Sequence, residues 1–227
     1  MTTDNIQGKI ALGGGGGAAD SKLLDATFAS WIGAHGRLLY LPLAMRGLLE
    51  FSNCFTWITE TLGPLGVTNI TMWHDLSSHR KSELADFDAI YIGGGNTYSL
   101  LAEFLESGFA GYLREYVYDG GYVYGGSAGA VLLGRDLRTV AHIDTNNIGL
   151  QETACLNLAQ DHAVWVHYTA ADDAHIRRFS QATTFPVIAV AERTGVIIEA
   201  GTIATVGYEP AYQFTVLGKQ PIAQRAM

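Results

Sequence analysis

The segment Gly121-Tyr-Val-Tyr-Gly-Gly-Ser-Ala-Gly-Ala-Val-Leu-Leu-Gly134 brackets one serine, Ser127, between Gly125 and Gly129, where an apolar strand pattern runs into a helical one. A tight strand-to-helix turn strains the backbone of its central residue and leaves no room for side chains on either flank, so the Gly-x-Ser-x-Gly spacing is a steric requirement. Such a turn lifts the Ser127 hydroxyl clear of the sheet and aims the first helical amides, beginning with Ala128, at the same point. The chemistry this suits is attack on a carbonyl carbon, provided that a base takes the hydroxyl proton.

Seven histidines are available, and the rule for parallel sheets sorts them, because sites form beyond the carboxyl ends of the strands. His162-Ala-Val-Trp-Val-His167 reads as a strand, with its two histidines on the order of 16 Å apart at opposite ends. If it runs parallel to its neighbours, His167 faces the serine, and a solvated or helix-capping part suffices for His162. His35, His74, His79 and His175 fall in or beside helices and loops and have no positional claim. The same rule singles out Glu192, the first residue past the apolar run Pro186-Val-Ile-Ala-Val-Ala191, where a carboxylate can orient an imidazole. Its bland alternative is a turn glutamate paired with Arg193.

The elements that must position these groups alternate along the chain. Lys9 to Leu12 is a short apolar strand leading into five glycines, Gly13 to Gly17, and then a helical pattern through Leu23, Leu24, Phe28 and Trp31. The glycines satisfy Gly-x-Gly-x-x-Ala, but the second strand, Arg37 to Leu41, ends in Pro42-Leu-Ala without the carboxylate that a dinucleotide ribose needs. They read instead as a flexible rim over a pocket, and no cofactor is expected. Leu48 to Leu62 reads as a helix, Val67 to Trp73 as a strand, and Asp88 to Ile92 as a strand delivering Gly93-Gly-Gly-Asn-Thr97. Strands alternating with helices predict an α/β three-layer sandwich with a mostly parallel central sheet. The glycine-broken alternating runs from Val196 to Val216 add antiparallel hairpins near the C-terminus.

Length and composition set the outer limits. The 227 residues fit one α/β domain spanning 1–227, and 48 % hydrophobic with 16 % charged residues fits a large core. A formal charge of −8 disfavours nucleic acid but leaves room for an anionic ligand beside local arginines. Cys54 and Cys155 form no metal-binding pattern and no disulfide framework, so no metal is expected and a reducing compartment is the default. No window approaches the roughly 18 apolar residues of a membrane helix, and the start of the chain lacks a basic, then apolar leader. The expectation is a cytoplasmic protein with a small-molecule partner, no nucleic acid and no membrane; a homodimer is compatible with all of this.

Taken together, Tyr91-Ile-Gly-Gly-Gly-Asn-Thr-Tyr-Ser-Leu-Leu101, Gly126-Ser-Ala-Gly-Ala130, Val166-His-Tyr168, His175-Ile-Arg-Arg-Phe179 and Val190-Ala-Glu192 resemble the dipeptidase E and cyanophycinase family of serine peptidases. These pieces span about half the chain. The family has the class I glutamine amidotransferase-like fold, with serine where that fold usually carries cysteine. The resemblance implies a triad of Ser127, His167 and Glu192, an oxyanion hole from the amides of Gly94 or Gly95 and of Ala128, and a short peptide as substrate. Asn96 would then support the glycine loop or touch substrate.

Dipeptidase E members cleave after an N-terminal aspartate, held by an arginine whose aligned position here is Asp172, followed by Asp173. An acid does not bind an acid, so an aspartyl or β-aspartyl substrate would need Arg177, Arg178 or Arg138 instead, or Asp172 and Asp173 would hold a substrate's amino group. The family's aspartate some fifteen residues past the serine falls near His142, with Asp144 as a shifted candidate. Two other readings stay open. One is an esterase of the α/β-hydrolase type, whose acid precedes its histidine, using Ser127, Asp144 or Asp161, and His175. The other is a non-catalytic binding domain that keeps the fold.

Overall fold

The computed structural model describes residues 6–225. Its central sheet has seven strands in the order β3-β2-β4-β5-β1-β8-β9. These are β1 (Ile10–Gly13), β2 (Arg37–Leu41), β3 (Asn69–Met72), β4 (Ala89–Ile92), β5 (Tyr122–Gly126), β8 (Thr194–Glu199) and β9 (Thr202–Gly207). The first five are mutually parallel, and β8 and β9 close one edge antiparallel. Their apolar runs are continuous because both faces are covered. Ala11, Leu38, Tyr40, Ala89, Tyr91 and Tyr124 point to one side, where they meet Leu24 and Phe28 of helix α1 (Ala18–Ile32) and Ile58 and Leu62 of α2 (Phe51–Leu62). The alternate residues Ile10, Leu12, Leu39, Leu41, Ile90 and Ile92 meet α3 (Thr97–Glu106), α4 (Phe109–Tyr118) and α5 (Ala128–Leu133) on the other side. This is the three-layer α/β arrangement expected.

The remaining strands build a second sheet, in the order β11-β10-β7-β6, which the alternation pattern did not separate from the first. It contains β6 (Ala163–Trp165), β7 (Val187–Ala189), β10 (Tyr212–Thr215) and β11 (Gly218–Pro221). β6 and β7 are parallel, and β10 and β11 follow antiparallel. One face, through Val164, Val166, Ile188 and Val190, joins the main apolar cluster. The other, through Ala163, Trp165, Val187 and Ala189, packs with Phe214 against Ile176 of α6 (Asp173–Thr183). The expected strand from 162 to 167 is therefore shorter and lies outside the central sheet. His162 is buried, not solvated: its Nδ1 meets the carbonyls of Ala159 and Gln160, its Nε2 meets Gln213 at 2.7 Å, and burial pushes its pKa down. The helix expected from Leu48 begins at Phe51, after exposed Leu48 and Leu49.

Among the described residues no helix is long and apolar enough to cross a membrane. Cys54 and Cys155 are free and buried, and burial pushes both thiols up in pKa.

Candidate active site

Ser127 occupies the turn from β5 to α5 with φ 48° and ψ −109°, a conformation that L-residues rarely adopt and that persists only when its surroundings enforce it. The enforcement is steric. A Cβ on Gly125 would come within 2.5 Å of the Gly129 carbonyl group, and one on Gly129 would strike the carbonyl of Ile92 at the end of β4. The Ser127 amide is held by the carbonyl of Gly13 at 3.1 Å, which ties the turn to the end of β1.

His167 lies two residues beyond β6, also with positive φ, at 52°. Its amide donates to the Gly14 carbonyl at 2.9 Å, so the smaller sheet is fastened to the polyglycine loop at this residue. The imidazole Nε2 lies 2.9 Å from Ser127 Oγ, and Nδ1 lies 2.9 Å from Glu192 Oε1. The neighbouring strands hold the acid in place. Val190 N donates to Trp165 O at 2.8 Å and Tyr168 N to Val190 O at 3.1 Å, so the chains on either side of His167 and before Glu192 stay paired past β6 and β7. Glu192 itself sits in the passage from β7 to β8, where the chain crosses from one sheet to the other, and its side chain is 56 % exposed.

Four of the five glycines, Gly13 to Gly16, are packed parts of this arrangement, not a loose rim, and the exposed Gly17 opens helix α1. Gly14 N donates to Thr194 O, Gly17 N to Asp20 Oδ2, and a Cβ on Gly15 would come within 2.6 Å of His167 Nε2. With φ +107° and an imidazole against its Cα, position 15 is one where only glycine fits without displacement. A nicotinamide or flavin reading of the segment has no support in this packing.

The loop after β4 passes over the serine: a Cβ on Gly94 would lie 3.2 Å from that of Ser127. Gly95, with φ +131°, is pressed against the Ala44 carbonyl. Among the described residues the amides of Gly94, Gly95 and Ala128 have no hydrogen-bond acceptor, which leaves them able to receive a developing oxyanion. Asn96 supports this loop. Its Oδ1 accepts from Ser99 N at 3.0 Å, capping α3, its Nδ2 donates to Thr145 O at 2.9 Å, and its amide donates to Ala44 O. These contacts use one of the two Nδ2–H donors and one lone pair of Oδ1, so the side chain is engaged at both ends in holding the loop.

A cavity of ≈ 420 Å³ opens on Ser127 and His167, bounded by Gly94, Gly95, Met45 and Asp144 among others. Asp144, the shifted candidate, accepts the Thr97 amide at 2.8 Å. Asp172, Arg177 and Arg178 do not line this cavity. Asp172 caps its own turn through Thr169, Arg177 reaches Asp173 at 3.8 Å, and Asp173 is taken by Lys219 at 3.0 Å and Tyr168 at 2.7 Å. Arg138 is clamped on Asp136 at 2.6 Å. The alternative esterase set is not assembled either: His175 packs against Trp165 and His142, and Asp161 pairs with Arg135 at 3.2 Å. A larger cavity of ≈ 840 Å³ at the opposite ends of the strands, between Trp31, Phe87 and Tyr116, contains no histidine. Met45 and the glycine at position 15 carry no sequence signal of their own, since their neighbours are distant in the chain.

The fold, with a serine, an imidazole and a carboxylate linked at the carboxyl ends of its strands, defines the class as a three-layer α/β protein. Residues 10–206 match the model of peptidase family S51, and the chain belongs to that family. It is 27 % identical over 193 residues to a peptidase E of Shewanella denitrificans, covering 80 % of this chain and 72 % of the relative. It is 31 % identical over 146 residues to a peptidase E of Shewanella oneidensis, covering 59 % and 60 %. The fold is shared with a solved peptidase from an acI-B1 actinobacterium, with a TM-score of 0.71 at 16 % identity over 98 % of this chain and 97 % of that one.

Proposed function

We propose that this member of peptidase family S51 is a serine-type peptidase acting on short peptides through Ser127, His167 and Glu192. The observation that carries the reading is the unbroken pair of 2.9 Å contacts from Ser127 Oγ to His167 Nε2 and from His167 Nδ1 to Glu192 Oε1. In this reaction His167 Nε2 takes the hydroxyl proton as Ser127 Oγ bonds to the peptide carbonyl carbon. The carbonyl π electrons move onto oxygen, which is held by the amides of Ala128 and of Gly94 or Gly95. Collapse breaks the C–N bond, His167 gives the proton to the departing amine, and an acyl-enzyme ester remains. Water then attacks the ester, with His167 again taking and returning a proton, and Ser127 is released. Glu192 fixes the tautomer by accepting Nδ1–H and stabilises the imidazolium that forms twice per cycle.

Cavity size supports a short substrate, since ≈ 420 Å³ is near the lower end of the range for small-molecule sites. A panel of dipeptides incubated with the protein and with Ser127→Ala tests the reading. Hydrolysis lost in the variant is expected, and equal hydrolysis by both proteins defeats it.

A further inference from the structure

The cavity beside Ser127 has an uneven chemistry. Met45, Val140 and Ile143 give it an apolar wall, and among the described residues Asp144 is the only carboxylate that lines it. Among the described residues no lysine or arginine lines it, and the nearby cations are already engaged. Arg46, next to Met45, donates to both oxygens of Glu103 at 3.1 and 3.0 Å and to His74 O at 2.6 Å. Arg138, two residues before Val140, makes three side-chain contacts with Asp136, at 2.9, 3.1 and 2.6 Å. An acidic substrate side chain in this cavity would meet a carboxylate and no counter-charge.

Asp144 is tied to the loop that carries the oxyanion donors. Its Oδ2 accepts the amide of Thr97, two residues past Gly95, while among the described residues Oδ1 has no partner. It lines the same cavity as Ser127, Gly94 and Gly95, the cavity that must receive the scissile carbonyl. On a peptide's first residue the α-nitrogen is two bonds from the carbonyl carbon, whereas the charge of a lysine or arginine side chain is several bonds further away. The cation within reach of Asp144 is thus the α-ammonium. We infer that the site takes short peptides by a free N-terminal ammonium held on Asp144, with an uncharged apolar first side chain against Met45, Val140 and Ile143.

This inference rests on the serine-peptidase reading and goes further by naming the substrate class. Asp144 is a binding residue for the ground state and the transition state alike, so its loss raises KM more than it lowers kcat.

The test compares four substrates: Leu-Leu, Asp-Leu, Lys-Leu and 4-methylpentanoyl-leucine, which is Leu-Leu without its amino group. Leu-Leu should have the highest kcat/KM. A charge-assisted contact of this kind predicts that removing the amino group costs roughly ten- to hundredfold. Asp144→Asn keeps an oxygen for the Thr97 amide, so it should fold with an unchanged melting profile, lose a similar factor on Leu-Leu through KM, and lose almost nothing on the deamino substrate. Preference for Asp-Leu or Lys-Leu, or equal cleavage of Leu-Leu and its deamino analogue, overturns the inference. Labelling of the wild type by a fluorophosphonate, absent in Ser127→Ala, separates the two levels: labelling with the wrong preference sinks the substrate class alone, whereas no labelling and no hydrolysis sinks the peptidase reading with it.

Discussion

Alanine at position 15 places a methyl group where the imidazole of His167 now lies. On the present backbone that methyl would sit 2.6 Å from Nε2 and 3.0 Å from Nδ1, and nearer still to Cε1, whereas ordinary contact begins near 3.4 Å. The ring must retreat by about 1 Å, and the 2.9 Å contact with Ser127 Oγ then opens beyond hydrogen-bonding range. A displacement of this size costs on the order of 10²-fold in rate, and complete loss of the base up to about 10⁴-fold. The backbone adds a second penalty, since φ +107° is strained for alanine by about 1–3 kcal/mol, or roughly 2–12 °C in Tm for a chain of this length. Gly17→Ala is the control, because a Cβ there meets nothing closer than Asp20 Oδ2 at 3.9 Å and its φ is −75°. Both variants are assayed for kcat/KM on a cleaved dipeptide and for fluorophosphonate labelling, at a temperature well below both melting points. Gly15→Ala should fall by roughly 10²- to 10⁴-fold while Gly17→Ala stays within about twofold. A folded Gly15→Ala that keeps a third or more of wild-type activity refutes the idea that this loop sets the position of the base.

Glu192→Gln should lower kcat/KM on the same dipeptide by roughly 10²-fold, less than the about 10⁴-fold known for a buried acid in this role, because water already solvates the 56 % exposed carboxylate; an unchanged rate would remove Glu192 from the mechanism. Asp25, 1 % exposed with Oδ1 unpartnered, has its pKa pushed up by burial from 3.8 to about 6. A folded-state pKa above the unfolded one means that the folded form prefers the proton, so this group costs stability increasingly as pH rises from about 4 to about 6. About 2 units at 1.36 kcal/mol each gives a cost of about 3 kcal/mol at pH 7. Denaturant unfolding of Asp25→Asn beside the wild type should show an advantage that grows across that interval, and a pH-independent difference would contradict the account.

What the sequence discloses about this molecule is what local sterics dictate. The spacing of Gly125, Ser127 and Gly129 is legible because a strand-to-helix turn of this kind crowds both flanks, Gly125 against Gly129 one turn along the chain and Gly129 against Ile92 at the end of β4, and continuous apolar runs report buried strands wherever they lie. Pairing partners are another matter. Three apolar residues such as Ala163 to Trp165 look the same in either sheet, so the second sheet appears only when Val187 to Ala189 is found beside them. His162 is buried because Gln213 arrives from far along the chain to meet its Nε2. The run Gly13 to Gly17 looks merely pliant until an imidazole from position 167 is seen resting on it. Asp144 lies in a stretch without periodicity, and nothing short of tertiary structure reveals that its carboxylate reaches the Thr97 amide.

The serine belongs to one sheet and its imidazole partner to the other, joined by a single 2.9 Å contact across an apolar seam that includes Val164 and Val190. Turnover is therefore a finer gauge of drift between the layers than any spectroscopic signature of folding, because a shift too small to melt either sheet is enough to uncouple the pair. Mild heat or a trimmed seam residue should silence this molecule while it still looks native.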